Sequence, residues 1–224
     1  RSGADSLYSP LNPAHYMTVQ EKERALIRWI RTCSIAPVAE RRLLEIGCGS
    51  GRNLLKFLEL GFLPQNLVGN ELIRERSKAA HSLLPAAVRV LTGDASRLQL
   101  PARSFDIVFQ STVFTSILDD AFQKRLADRM WTWVRPGGGV LWYDFVYGNP
   151  RNPDVRGMPL SRIRALFPRG RVRTWRITLA PPVSRAVTRL HPALYEVFAR
   201  FPFLRTHLRC WIVKDPGEAR PPER

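Results

Sequence analysis

The chain has 224 residues, 45% of them hydrophobic and 24% charged, which suits one domain with a single large core. No apolar run reaches the length of a membrane span, none resembles a secretory signal, and three scattered cysteines (Cys33, Cys48 and Cys210) exclude a complete disulfide framework, so a reducing cytoplasm is the simpler setting. Lys and Arg outnumber Asp and Glu by 35 to 19, a net of +16, and residues 151–224 alone hold 16 basic and 5 acidic groups. An electropositive C-terminal third attracts nucleic acid, anionic lipid or an acidic substrate. Against that, arginine outnumbers lysine 30 to 5 throughout, which reads as compositional bias.

The first predicted element follows Asn12-Pro13-Ala14-His15-Tyr16-Met17: an amphipathic helix with Ala25, Leu26, Trp29 and Ile30 on one side. Leu43-Leu44-Glu45-Ile46 then reads as a short apolar strand, followed by the turn Gly47-Cys48-Gly49-Ser50-Gly51 and a helix starting near Arg52. That is the layout of a nucleotide-binding crossover, where glycines admit a ligand to the backbone and helix N–H groups face it. A dinucleotide fingerprint is excluded, because its third glycine comes three residues after the second, and here the glycines are 47, 49 and 51.

Further strands follow at regular intervals. Asn66 to Leu72 is the second and ends on Glu71, placed where a strand-tip carboxylate can accept both hydroxyls of a ribose. Val88 to Ala95 is the third, with Asp94 after Gly93; taken singly, Glu71 could cap a helix and Asp94 a turn. Ser104 to Gln110 is the fourth strand, and Val134-Arg135-Pro136-Gly137 reads as a turn leading into a fifth that ends on Asp144. The polar stretch 144–157, with Asn149-Pro150 and Asn152-Pro153 stiffening the surroundings of Arg151 and Arg156, is too long for a minimal connection. Ser161 to Phe167 reads as a short helix, Val172 to Leu179 as a sixth strand and Leu208 to Val213 as a seventh. Arg169, Arg171 and Arg173 alternate onto one face, as charges guarding an outer strand do. Between the last two strands Val187, Leu190, Leu194 and Phe198 recur at helical spacing; a packed cap over the substrate cleft is expected ahead of a membrane-surface helix, because Pro192 interrupts any long face.

The segment Glu45-Ile46-Gly47-Cys48-Gly49-Ser50-Gly51 matches in full the E/D-x-G-x-G-x-G pattern of motif I, and so resembles the class I S-adenosylmethionine-dependent methyltransferases. Order and spacing of the five elements over residues 40–147 agree with that family. The resemblance implies a Rossmann-like α/β fold: a mostly parallel seven-stranded sheet, helices on both faces, and a C-terminal antiparallel strand. It implies S-adenosyl-L-methionine as cofactor, S-adenosyl-L-homocysteine as product, and no metal. The implied cofactor contacts are Glu45, Gly47, Cys48, Gly49 and Gly51 at the glycine turn, Glu71 and Leu72 at the ribose, Asp94 and Ala95 at the adenine, and Gln110 at the fourth strand. An acidic turn suits a ligand whose amino group and sulfonium are both positive. Residues 1–224 read as one methyltransferase domain: an N-terminal cap or lid at 1–40, the cofactor core at 41–147, substrate-side elements with the sixth strand at 148–205, and a final strand and tail at 206–224.

Ligands in such sheets sit beyond the carboxyl ends of the strands. Residues able to reach that rim are Tyr16 as a lid, and Asn149 and Arg151 as acceptor contacts. Asp144 is the first candidate for a base taking a hydroxyl proton, ahead of His15 and His191. After the fourth strand the chain reads Gln110-Ser111-Thr112-Val113, without the Asn/Asp-Pro-Pro-aromatic motif of enzymes that methylate nucleobase amines. No cysteine falls in that region to serve as the Pro-Cys or Thr-Cys nucleophile of pyrimidine-carbon enzymes (Thr32-Cys33 precedes the glycine turn), and the Asp-Asn pair of the metal-dependent catechol type is missing near the later strands. The pattern from Trp142 to Gly157 is similar to bacterial methyltransferases of polysaccharide and natural-product synthesis. The expectation is therefore a cytoplasmic enzyme methylating a small molecule or glycan, at oxygen ahead of nitrogen. An RNA methyltransferase using the basic C-terminal third, and a non-catalytic cofactor-binding partner, stand as alternatives.

Overall fold

Continuous apolar runs form strands buried on both faces. In the computed structural model, which describes residues 9–148 and 152–217, every residue of β1 (Leu43–Ile46) and β2 (Leu67–Glu71) is buried. Between them lies α2 (Arg52–Glu59), and α3 (Arg74–Leu83) leads to β3 (Arg89–Thr92). β4 (Phe105–Ser111), α4 (Asp120–Trp133) and β5 (Val134–Phe145) complete the repeating part. Asp119 starts α4, its Oδ1 accepting from the N–H groups of Ala121 (2.8 Å) and Phe122 (3.2 Å). The remaining elements are α1 (Pro13–Thr32), α5 (Leu160–Leu166), β6 (Arg171–Leu179), α6 (Pro181–Leu190), α7 (Leu194–Phe198) and β7 (Arg205–Val213).

The strands form one sheet of order β3-β2-β1-β4-β5-β7-β6, mostly parallel with β7 and β6 antiparallel. β1 pairs in parallel with both β2 and β4, so the order reverses there. A reversal opens a crevice at the carboxyl ends of the strands, and the glycine turn leaves β1 at that point. The expected Rossmann-like arrangement is the one found.

The chain divides into two compact units: Ala36–Thr174 with Arg209–Arg224, and Arg1–Ile35 with Trp175–Leu208. The first holds β1 to β5 over a core that includes Phe57, Phe105, Phe114, Trp133 and Trp142, all essentially inaccessible. In the second, Asn12 caps α1 through Oδ1 (3.0 Å from Ala14 N), with Pro13 at the first helical position. Its core is Met17, Leu179, Val187, Tyr195 and Ala199, with Leu194, Phe198 and Leu204 packed on it.

Three expectations shift. β5 begins at Val134, through the Pro-Gly stretch read as a turn, and a register irregularity between Phe105 and Ile107 absorbs the extra residues. β7 begins at Arg205, because Arg205 and Arg176 exchange side-chain-to-carbonyl hydrogen bonds (2.7 and 3.4 Å) that support strand pairing without an apolar pattern. Leu190 is not in the packed cap: α6 stops there, two residues before Pro192, and leaves it 82% exposed. Tyr195 takes the buried place instead. β6 ends the sheet, and Arg171 and Arg173 stand exposed on it, as expected of an outer strand. Among the described residues no helix is long and apolar enough to cross a membrane.

Candidate cofactor site

The glycine turn is shaped by what each glycine meets. Gly47 sits at φ +67, and a Cβ there would lie 2.6 Å from Val113 Cγ2, so the turn after β4 closes directly on it. Gly49 also has positive φ (+57), but a Cβ there would meet nothing within 4 Å. Its outer face is open space, in which a ligand fits and a side chain would intrude.

Carboxylates ring this turn. The parallel register aligns Ile46 with Asn70 and Gln110, and Glu71 with Thr92, which brings the ends of β1 to β4 together. Glu71 is 4% exposed; its Oε2 accepts from Gly49 N (2.8 Å) and its Oε1 from Ile73 N (2.9 Å). An ionised carboxylate has about four acceptor positions, so each oxygen keeps capacity for a hydroxyl. Leu72 beside it is 68% exposed. Asp94 accepts from Ser96 N and Ser96 Oγ, both at 2.8 Å, through Oδ1, while Oδ2 lies 3.5 Å from Arg97 Nε. It is thus the turn residue the plain reading of Gly93-Asp94 suggests, yet partly open; Ala95 behind it is buried. Glu45 lies under the turn, inaccessible, accepting from Asn53 Nδ2 at 2.7 Å. Cys48 is buried beside Glu45 and Glu71, and burial together with those charges pushes its thiol up to about 12, so it stays protonated and inert.

Other expected residues lie elsewhere. Gln110 is fully buried and turned inward, its Oε1 accepting from Val113 N at 3.0 Å. Asp144 is not at an accessible rim: it has no exposed surface, its Oδ2 accepts from Thr115 N (3.3 Å) and its Oδ1 from Phe145 N (3.1 Å). Burial, only partly offset by hydrogen bonds from Thr115, Phe145 and Gln110, raises its carboxyl to about 7. Tyr16 belongs to the other unit, half-exposed on α1 with its hydroxyl accepting from Gln20 Nε2 at 2.7 Å. Asn149 and Arg151 lie outside the described residues. Arg156 pairs with Asp120 and its N–H donates to Thr115 O at 2.8 Å. Asn53, Val113, Thr115 and Gln123 were not singled out by the sequence. Only Asn53, two residues into the helix after the glycine turn, carries a positional hint.

A glycine turn at a switch point, ringed by strand-tip carboxylates, is an arrangement that suits a nucleoside-bearing, positively charged ligand. A family model described as a methyltransferase domain matches residues 43–138. No curated protein matches the sequence significantly. Among solved structures, an S-adenosylmethionine-dependent methyltransferase of Mesorhizobium loti is 17% identical, TM-score 0.61, over 85% of this chain and 99% of its own. One from Archaeoglobus fulgidus is 16% identical, TM-score 0.60, over 88% and 99%. Phosphoethanolamine N-methyltransferase 2 of Haemonchus contortus, solved with S-adenosyl-L-methionine, is 16% identical, TM-score 0.61, over 94% of this chain and 59% of that one. At such identities these neighbours share the fold. The matched domain spans the glycine turn and all three carboxylates, and together with the shared fold it supports a class I S-adenosylmethionine-dependent methyltransferase.

Proposed function

We propose that the enzyme methylates a hydroxyl of a small molecule or sugar. The observation that carries this is the turn following β4. A site that takes a nucleobase needs an aromatic face to stack it. The aromatic of this turn, Phe114, is instead fully buried, 4.5 Å centroid to centroid from Trp142. What the turn presents is Ser111 and the exposed Thr112, small and hydroxylic.

The residues fit the cofactor. Glu71 and Leu72 hold the ribose side, Asp94 and Ala95 the adenine side, and Gly47, Gly49 and Gly51 admit the ligand to the backbone, with Glu45 beneath supplying negative potential. Cys48 and Gln110 shape the turn from behind. When bound, the cofactor supplies an electrophilic methyl group on a sulfonium that departs neutral. The chain's work is to align the acceptor oxygen and exclude water. Tyr16, Asn149 and Arg151 stay as proposed acceptor contacts. The acceptor proton leaves without Asp144, since a carboxyl with no exposed surface and both oxygens engaged meets no acceptor. None of the three cysteines is in a disulfide, which supports a cytoplasmic setting.

Extract of the source cell supplied with methyl-labelled cofactor tests the reading. Label should enter a low-mass or nuclease-resistant glycan fraction and vanish with Gly49→Asp. Label in nuclease-sensitive material overturns it and moves attention to the arginines of the C-terminal third.

A further inference from the structure

The tip of β4 carries strained backbone. Thr112 is β-branched yet has φ +57, a region such residues rarely enter. Strain of that sort persists only where the surroundings over-determine it, and it gathers where a shape must be held. Three side chains with no exposed surface hold this turn. Gln110 accepts from Val113 N (3.0 Å), and Asp144 from Thr115 N (3.3 Å). Gln123 donates from Nε2 to Phe114 O (3.1 Å) and Ile117 O (2.8 Å), and is itself fixed by two bonds from Arg162 to its Oε1 (3.0 and 2.9 Å). The outcome is Val113 pressed on Gly47.

We propose that Asp144, with Gln110 and Gln123, is a positioning residue that locks the strained 111–117 turn onto the glycine turn and so sets cofactor affinity without touching substrate. This deepens the methyltransferase reading and rests on it. The side chain has to be a carboxyl group: two N–H groups, of Thr115 and Phe145, point at its two oxygens, and each oxygen keeps an accepting lone pair in either protonation state. Asparagine offers one oxygen, and its amide would turn an N–H on the other donor. Thr112 is the complementary probe. Glycine there relieves the backbone strain while freeing the turn to leave its place.

S-adenosylhomocysteine is titrated calorimetrically into wild type, Asp144→Asn and Thr112→Gly, each well below its unfolding midpoint, with amide hydrogen exchange read across the turn. Asp144→Asn is expected to weaken binding about tenfold, with faster exchange confined to residues 112–117. Thr112→Gly is expected to weaken binding several-fold while its thermal midpoint holds or rises, a split that a purely stabilising role cannot give. Wild-type affinity in both variants overturns the positioning role and leaves the methyltransferase reading intact. A wild type that binds no S-adenosylhomocysteine instead sinks the site assignment, and the positioning role with it. If Asp144→Asn fails to fold, Thr112→Gly decides alone.

Discussion

Glu21 and Glu71 are both nearly buried carboxylates, 8% and 4% exposed, one in each unit, and they do opposite work. Glu21, on α1, accepts from Tyr195 OH (2.6 Å) and Thr178 N (3.0 Å) at Oε2, with Arg205 Nε 3.7 Å from Oε1. Its hydrogen-bond donors come from α7 and β6 and its ion-pair partner from β7, so it joins elements distant in sequence. Glu71 is met by two backbone N–H groups of its own neighbourhood, one from a glycine whose far side is empty. Burial therefore does not separate a bolt from a receptor. The identity of the donors, and whether space is left past them, does.

Gly49→Asp should give the largest effect. The new side chain occupies the open face and sets a second negative charge beside Glu71. Cofactor affinity should fall at least about a hundredfold, near 2.7 kcal/mol. Stability should fall by only about 1–2 kcal/mol, for an L side chain at left-handed φ with no clash. Calorimetric titration against thermal melting separates the two. Tyr195→Phe is the mirror experiment. It strips Glu21 of its shortest donor and Leu179 N of an acceptor (3.3 Å), destabilising by about 1–3 kcal/mol while cofactor affinity, measured below the midpoint, stays put. A Tyr195→Phe protein that loses affinity while still folded would erase the distinction between the two carboxylates.

The difference between them also marks where the sequence stops being legible. Glu71 could be read because its role follows from a local rule, a strand tip a fixed distance past a glycine turn. Asp94 could be read for the same reason. Glu21 could not: its meaning depends on Tyr195 and Thr178, more than 150 residues away in the chain, and at Thr178 even the backbone (φ +67) departs from what a strand residue suggests. Asp144 shows the same limit from the other side. Its place at the end of β5 was legible, but the turn that seals it was not, since Thr115 and Gln123 carry no pattern of their own and Gln110 was read as a cofactor contact. Leu190 was misplaced because helical spacing does not show that the last residue of α6 stays exposed, whereas Leu194 and Phe198 in the next helix do pack on the core.

Titration sharpens the contrast at intermediate size. Asp144 has its carboxyl raised by burial from 3.8 to about 7, so between those values the folded protein keeps a proton the unfolded chain has lost. Its contribution makes stability fall as pH rises through that window, by at most about 1.4 kcal/mol per pH unit, and level off above it. His207, in the other unit, is pushed down to about 3 by burial and then by Lys22. Between about 3 and 6.5 the unfolded chain binds the extra proton, so its contribution makes stability rise with pH. The two slopes oppose each other from about pH 4 to 6.5. Asp144→Asn removes the falling one, and urea midpoints should then climb more steeply with pH than in wild type. An unchanged profile would mean that Asp144 keeps an ordinary pKa.

The smallest effect belongs to Arg24 and Glu196, which join the same two helices, α1 and α7, as Glu21 and Tyr195. Side chains here are 47% and 51% exposed, against 10% for that of Glu21. Water already solvates both charges, so pairing them gains little and immobilises two long side chains. A double-mutant cycle on Arg24→Ala and Glu196→Ala should give a coupling of about 0.5 kcal/mol or less, fading as salt rises. The cycle matters because the alternative is informative. A coupling as large as the loss in Tyr195→Phe would show that the two helices are held from the surface, and that the Glu21 network, with its phenol and guanidinium, only fills the space between them.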